Sequence, residues 1–226
     1  MADRVVLIGA SGGIGQYLIE SLSDFKIYGT WHKHKPAGDL MQLDVTNPTE
    51  VEEYADWVCG PVGGKRVVVI NASGITINGM GHNMPINDWQ RVVSTNLTGA
   101  YVVARAFLPY MRESYYGRII NLASIVGQRG VAGTSAYAAS KAGLEGMTRA
   151  LAVENATKGV TVNSLALGYF RVGIIDSIPD HIRDKLVSTI PMKRLGNPNN
   201  IDAAIRFLID ADYVTGATID INGGLT

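Results

Sequence analysis

The chain has 226 residues, with twenty lysines and arginines against twenty aspartates and glutamates; its formal net charge is +0, and no run of like charge forms a tail or arm. That balance argues against nucleic acid and membrane surfaces as partners, and the length suits a single domain, 1–226, with a sizeable core. The one cysteine, Cys59, excludes an intramolecular disulfide framework and a cysteine zinc cluster, and fits a reducing, cytoplasmic setting. At the N-terminus Met1-Ala2-Asp3-Arg4 runs into an apolar stretch at 5–8 that is too short for a signal peptide and reads as a first strand. Similar short apolar runs recur at 26–30, 67–70, 118–122, 161–166 and 218–221, and helical patterns fall between them at 15–22, 89–111, 136–155 and 201–208. This alternation predicts an α/β fold, a doubly wound parallel sheet with helices on both faces. No apolar stretch approaches the roughly 20 residues that a membrane-spanning helix needs. There is no tandem repeat and no dividing linker. The loosest stretch, 169–191, is long for a plain connection and reads as a mobile lid over a substrate.

Directly after the first strand comes Gly9-Ala10-Ser11-Gly12-Gly13-Ile14-Gly15, which opens a helical pattern. Glycines there let the backbone turn sharply and approach a pyrophosphate, while the helix start offers unpaired N–H groups and partial positive charge. Taken alone, a flexible glycine-rich turn would look the same. Further on, Tyr137 and Lys141 in Tyr137-Ala138-Ala139-Ser140-Lys141 stand one helical turn apart on a shared face. A phenol of pKa near 10 is a poor acid–base group at neutral pH; a fixed ammonium beside it would lower that value and let it exchange a proton with a substrate oxygen. The plain alternative is a surface pair. Ser124, in Asn121-Leu122-Ala123-Ser124, falls at the carboxyl end of a strand, where open α/β sheets collect ligands. Its hydroxyl could hold a substrate carbonyl or simply cap a turn.

In joint order and approximate spacing, the glycine motif, Asn71-Ala72-Ser73-Gly74, Asn96, Ser124, Tyr137, Lys141 and the closing segment from Val214 to Gly224 resemble the short-chain dehydrogenase/reductase family. The resemblance implies a single-domain Rossmann-type fold and an NAD(P)(H)-dependent oxidoreductase. By the same resemblance, Tyr137 is the general acid in reduction and the general base in oxidation, with Ser124 hydrogen-bonded to the substrate oxygen. Lys141 is expected to lower the Tyr137 pKa and to hold the nicotinamide ribose. Asn96 is expected in the helix after the fourth strand, ordering a water that links Lys141 to solvent; elsewhere such an asparagine would be a solvent-facing helix residue. The cofactor residues implied are Gly9, Ser11, Gly12, Gly13, Ile14 and Gly15, then Asp44 and Val45 at the adenine, and Asn71, Ala72, Ser73 and Gly74. Gly168 and the backbone near Phe170 are expected to orient the nicotinamide.

Three features depart from the family's habit. Ile8 stands where a threonine commonly opens the glycine motif, removing a hydrogen bond that helps shape the turn. Leu167-Gly168 and Val172 replace the usual Pro-Gly and a later threonine that binds the carboxamide. The stretch 31–44 is short, lacking the helix that many members place there.

Strict NAD enzymes usually close the second strand with a carboxylate that would repel a 2′-phosphate. Here the slot is Trp31, followed by His32-Lys33-His34-Lys35, so NADP is favoured over NAD, with His32 and Lys33 as phosphate partners. A solvated basic loop is the plain alternative. The leading reading is NADPH-dependent reduction of a ketone, with greatest likeness to 3-oxoacyl-[acyl-carrier-protein] reductases; the segment from Ile190 to Gly196 supports it, although polyol and sugar dehydrogenases share similar segments. Many carrier-protein reductases are basic just before Gly117, whereas this chain has Ser114-Tyr115-Tyr116, so a small free ketone rivals an acyl thioester as substrate. A non-catalytic dinucleotide sensor or scaffold is the alternative from another class, and the retained Ser124, Tyr137 and Lys141 argue against it. The family likeness further implies a homo-oligomer, dimer or tetramer, with isologous interfaces.

Overall fold

The computed structural model describes residues 4–33, 35, 38–60, 65–173, 175 and 179–225. Seven strands form one parallel sheet in the order β3-β2-β1-β4-β5-β6-β7. They are β1 (Arg4–Ile8), β2 (Ile27–Trp31), β3 (Met41–Gln42), β4 (Val67–Asn71), β5 (Gly117–Ser124), β6 (Val160–Leu167) and β7 (Thr218–Ile221). The helices are α1 (Gly13–Ser21), α2 (Pro48–Cys59), α3 (Ile86–Val93), α4 (Gly99–Ser114), α5 (Ser135–Asn155), α6 (Asp180–Thr189) and α7 (Asn199–Asp210).

All six expected strands are present. Their continuous apolar character follows from burial on both faces, since neighbouring residues of a strand point opposite ways and each way meets helices. In β4, Val67 and Val69 join one core layer, and Val68 and Ile70 join the other. The first layer packs Val6, Ile8 and Ile119 against Val51 and Tyr54 of α2 and Phe107 of α4. The second packs Val5, Leu7 and Leu165 against Leu18 of α1 and Ile201, Ile205 and Leu208 of α7.

Four elements went unread in the sequence or were read differently, among them α2 (Pro48–Cys59), which lies outside the expected helical stretches. The two-residue β3 is too short to show a pattern. The stretch 169–191 is not a plain connection, because it contains α6; residues 174 and 176–178 of it lie outside the described residues. The helix expected at 89–111 is three pieces, α3, a π-helical turn Ser94–Thr98 and α4. Such an extra-residue turn inside a helix re-aims the side chains it carries. Between β2 and β3 the described residues contain no helix, as the short spacing predicts. No helix among the described residues is long and apolar enough to cross a membrane.

The strand order reverses at β1, which pairs with β2 on one side and β4 on the other. Open sheets of this kind leave a crevice beyond the carboxyl ends of the strands at that point. The sequence motifs converge there.

Candidate active site

The glycine turn leaves β1 under tight steric demands. Gly9 has φ +79°, and a Cβ there would lie 2.9 Å from the Ser73 nitrogen. A Cβ on Gly15 would lie 2.4 Å from the Gly9 carbonyl oxygen. Gly12 is different, since its Cβ would meet only the Gly9 oxygen at 3.5 Å. The hydrogen bond expected to be missing through Ile8 is supplied from the neighbouring strand: the Gly9 N–H donates to Thr30 Oγ1 at 3.2 Å, and the Ala10 N–H to the Thr30 carbonyl at 2.7 Å. At the end of β4 the buried Asn71 accepts from both the Ser73 N–H and the Ser73 hydroxyl, at 3.2 and 2.6 Å, which shapes the opposite wall.

Between these walls runs a cleft of about 720 Å³, lined among others by Gly9, Ser11, Gly12, His32, Lys33, Asp44, Val45, Ala72, Ser73 and Gly74. Ten of the expected cofactor residues thus share one space. Asn71 lies beneath it, and Gly13, Ile14 and Gly15 form the start of α1, with Ile14 packed toward the core. The far wall comes from Asn87, Gln90, Arg91, Ser94 and Thr95 of α3 and the π-turn, which carry no motif and are found only in three dimensions. Gly168 and Phe170 lie elsewhere. A Cβ on Gly168 would lie 2.7 Å from the Asn222 Cα, and Phe170 is buried against Gly196 in a second cleft of about 370 Å³. Their residue types answer to packing at the end of β7 and to a short bridge with Gly196.

The first cleft fits a dinucleotide. No side chain caps the start of α1, and Gly12 at its N-cap stands open on the cleft, where a pyrophosphate would meet the helix end, while the backbone of Gly173 lies against Gly13. At the adenosine end, His32 Nε2 lies 3.5 Å from Asp44 Oδ2. Burial pushes the Asp44 carboxyl up, but hydrogen bonds from the Thr46 hydroxyl and N–H and the charges of His32 and Lys33 hold it below its ordinary value. Lys33 is exposed at the rim, and His34 lies outside the described residues.

The chemical end is built by β5, α5 and the π-turn. Ser124 is the last residue of β5, and its Oγ accepts from the Val126 N–H at 3.2 Å, so it does cap the 3₁₀ turn Ile125–Gly127. One role does not exclude the other, because the same hydroxyl also interacts with the Tyr137 phenol. Lys141 is only 5% exposed; its Nζ donates to the Leu122 carbonyl at 2.7 Å and lies 5.6 Å from the centre of the Tyr137 ring. Burial drops the Lys141 pKa to about 8. The expected lowering of Tyr137 by Lys141 is not what this geometry gives. Burial raises the phenol above its ordinary value, Ser124 pulls it part of the way back, and nearby Tyr169 adds to the rise.

Asn96 sits in the π-turn rather than in a regular helix, and it is 1% exposed, not solvent-facing. Its amide accepts from the Ile75 N–H at 2.8 Å and donates to the Ile75 carbonyl at 2.9 Å and to Ser140 Oγ at 3.1 Å. Both amide hydrogens are therefore engaged in bracing the chain after β4 against α5. Gly74 lies between them, where a Cβ would sit 3.4 Å from Asn96 Oδ1 and 3.6 Å from Lys141 Nζ.

A hydroxyl, a phenol and a buried ammonium beside a dinucleotide cleft can hold a carbonyl oxygen and pass it a proton. The comparisons with known proteins agree. A short-chain dehydrogenase/reductase family model described as Enoyl-(Acyl carrier protein) reductase matches residues 29–226. The 3-oxoacyl-[acyl-carrier-protein] reductase FabG of Vibrio cholerae is 37% identical over 240 residues, covering 100% of this chain and 98% of its own. Acetoacetyl-CoA reductase of Rhizobium meliloti is 39% identical over 236 residues, covering 98% of each. Nodulation protein G of Azospirillum brasilense is 35% identical over 249 residues, covering 100% and 99%. The chain belongs to the short-chain dehydrogenase/reductase family and is an oxidoreductase that acts with a nicotinamide dinucleotide on a C=O or CH–OH group.

Proposed function

We propose that this protein uses NADPH to reduce the ketone of a 3-oxoacyl thioester, or of a small molecule of similar shape, to an alcohol. The observation that carries the reading is the meeting of Ser124, Tyr137 and Lys141 beside the dinucleotide cleft, in a chain similar over its full length to relatives named for 3-oxoacyl and acetoacetyl thioesters. The nicotinamide dinucleotide supplies the hydride. Ser124 donates to the ketone oxygen and fixes its position. Tyr137, whose raised pKa keeps the phenol protonated at neutral pH, gives its proton to the oxygen as negative charge develops there. Lys141, anchored on the Leu122 carbonyl one helical turn from Tyr137, is placed to hold the nicotinamide ribose. Asn96 holds the strand end and α5 in register, so that these groups meet.

Preference for NADPH is supported by Trp31 in place of a carboxylate at the end of β2, and by His32 and Lys33 on the cleft rim. The buried free thiol of Cys59, pushed up to about 11 chiefly by burial, suits a reducing cytoplasmic compartment. The protein is expected to work as a homodimer or homotetramer.

The test is NADPH oxidation with acetoacetyl-CoA and with small ketones, in the parent and in Tyr137→Phe. Turnover by the parent, and its near-complete loss in the variant while NADPH still binds by fluorescence titration, is the expected result. Undiminished turnover in Tyr137→Phe, or no reduction of any ketone by the parent, would overturn the reading.

A further inference from the structure

The mechanism leaves one buried carboxylate unused. Glu145 lies on α5 one turn beyond Lys141 and is 8% exposed. Burial raises its carboxyl above the ordinary range, a hydrogen bond from Gln128 and the charge of Arg149 pull it down, and Asp220 of β7 adds to the rise. A carboxylate kept in so unfavourable a place calls for a reason.

Its hydrogen-bond partner supplies one. Gln128 Nε2 donates to Glu145 Oε1 at 3.0 Å. Gln128 ends the 3₁₀ turn that Ser124 begins, so this bond ties the far end of the Ser124 turn to the helix of Tyr137 and Lys141. A second point of attachment lies between them. Gly127 is seated so closely on α5 that a Cβ would lie 2.8 Å from the Ala142 nitrogen and 2.9 Å from the Lys141 carbonyl carbon. The Val126 N–H is held in turn by Ser124 Oγ. The turn is thus fixed to its own serine at one end and to the proton-donating helix at the other.

We propose that Glu145 and Gln128 form a clamp that sets Ser124 against Tyr137, making Glu145 a positioning residue for the reaction. The inference rests on the assignment of Ser124 and Tyr137 above. Glu145 is not itself a proton donor, because its oxygen is turned to Gln128 rather than to the phenol.

The experiment compares Glu145→Ala, Gln128→Ala, the two together, Glu145→Gln, and the exchange pair Glu145→Gln with Gln128→Glu, all assayed with NADPH and acetoacetyl-CoA. A small misplacement of reacting groups slows the chemical step, so kcat and kcat/KM should fall together by about ten-fold in each alanine variant. The double alanine variant should fall no further, because one bond is lost in all three. Glu145→Gln keeps an acceptor for the Gln128 amide, and the exchange pair restores a donor and an acceptor, so both should recover most of the rate. NADPH affinity should stay at the parental value throughout. Full kcat in Gln128→Ala, additive losses, or a parallel loss of NADPH affinity would overturn the clamp. Gln128 is exposed, so its variants keep the test decisive even where Glu145→Ala fails to fold. Failure of the underlying assignment reads differently, as turnover that survives Tyr137→Phe.

Discussion

At the scale of single residues, the pH dependence of the reaction follows from two oppositely placed groups. Burial lowers Lys141 to about 8 and raises Tyr137, so with rising pH the ammonium is lost first. Ketone reduction should fall as pH rises through about 8, as the ammonium proposed to hold the nicotinamide ribose loses its charge; kcat and kcat/KM for NADPH followed from about pH 6 to about pH 10 check this, and a fall beginning only near the ordinary phenol value of about 10 would contradict it. The same shift acts on stability with a definite sign. Between about 8 and the unfolded lysine value of about 10.4, the unfolded chain binds more protons at this site than the folded one, so this group's contribution to stability grows with pH across that window. Cofactor choice belongs to this scale too. Each well-placed charge-assisted contact to a 2′-phosphate contributes roughly 1.5–3 kcal/mol, so NADPH should be preferred in kcat/KM, the preference should shrink in Lys33→Ala and His32→Ala, and salt should erode it. A parent using both cofactors equally would refute that assignment. Ser124, Tyr137 and Lys141 could be picked out because their joint order with the glycine motif resembles that of a family; taken alone, the serine reads equally as a cap and the other two as a surface pair. The upward shift of Tyr137 was not legible, because burial decides it and burial is a property of the packed chain. Nor was the attachment of His32 to Asp44, which lies across β3 from it.

At the scale of elements, the glycine turn is shaped by a strand that its own sequence does not contain. The Thr30 hydroxyl takes the Gly9 N–H that a threonine at position 8 would otherwise help to order. Thr30→Val keeps the volume and removes the acceptor, leaving the half-buried Gly9 N–H without that partner, and should destabilise the fold by about 1 kcal/mol while weakening NADPH binding. Urea denaturation and a fluorescence titration read the two effects, and parental values in both would show that the bond does not matter. Elements announced by local pattern were legible: the buried strands, α1, α5 and α7. The start of α2 also carried a readable signature, Asn47-Pro48-Thr49-Glu50, in which Asn47 accepts from the Thr49 and Glu50 N–H groups and donates to Glu50 Oε1. α6 stayed hidden because it buries no residue, which leaves no apolar stripe to read. The π-turn stayed hidden because Ser94-Thr95-Asn96-Leu97-Thr98 differs from its helical surroundings only in the bonds it makes to Ile75 and Ser140.

At the scale of the whole molecule, large apolar side chains stand on outward helix faces. Tyr101 of α4, Val153 of α5 at 81% exposure and Phe207 of α7 are exposed, as is Tyr213 in the turn after α7. Paired across two-fold axes, such faces would be buried, and a dimer or tetramer by light scattering at micromolar concentration is expected, with a monomer as the contradicting result. The arrangement of the clefts has a different kind of consequence. Every residue lining the dinucleotide cleft falls between Ile8 and Thr95, while Ser124, Tyr137, Lys141 and the walls around Tyr169 come later in the chain. On the proposed assignment, the residues that would choose between NADPH and NADH and those that would meet the ketone are therefore written in consecutive stretches of one chain, joined through α4. Exchange of the first stretch between relatives would carry a cofactor preference across intact, and leave the inherited substrate untouched.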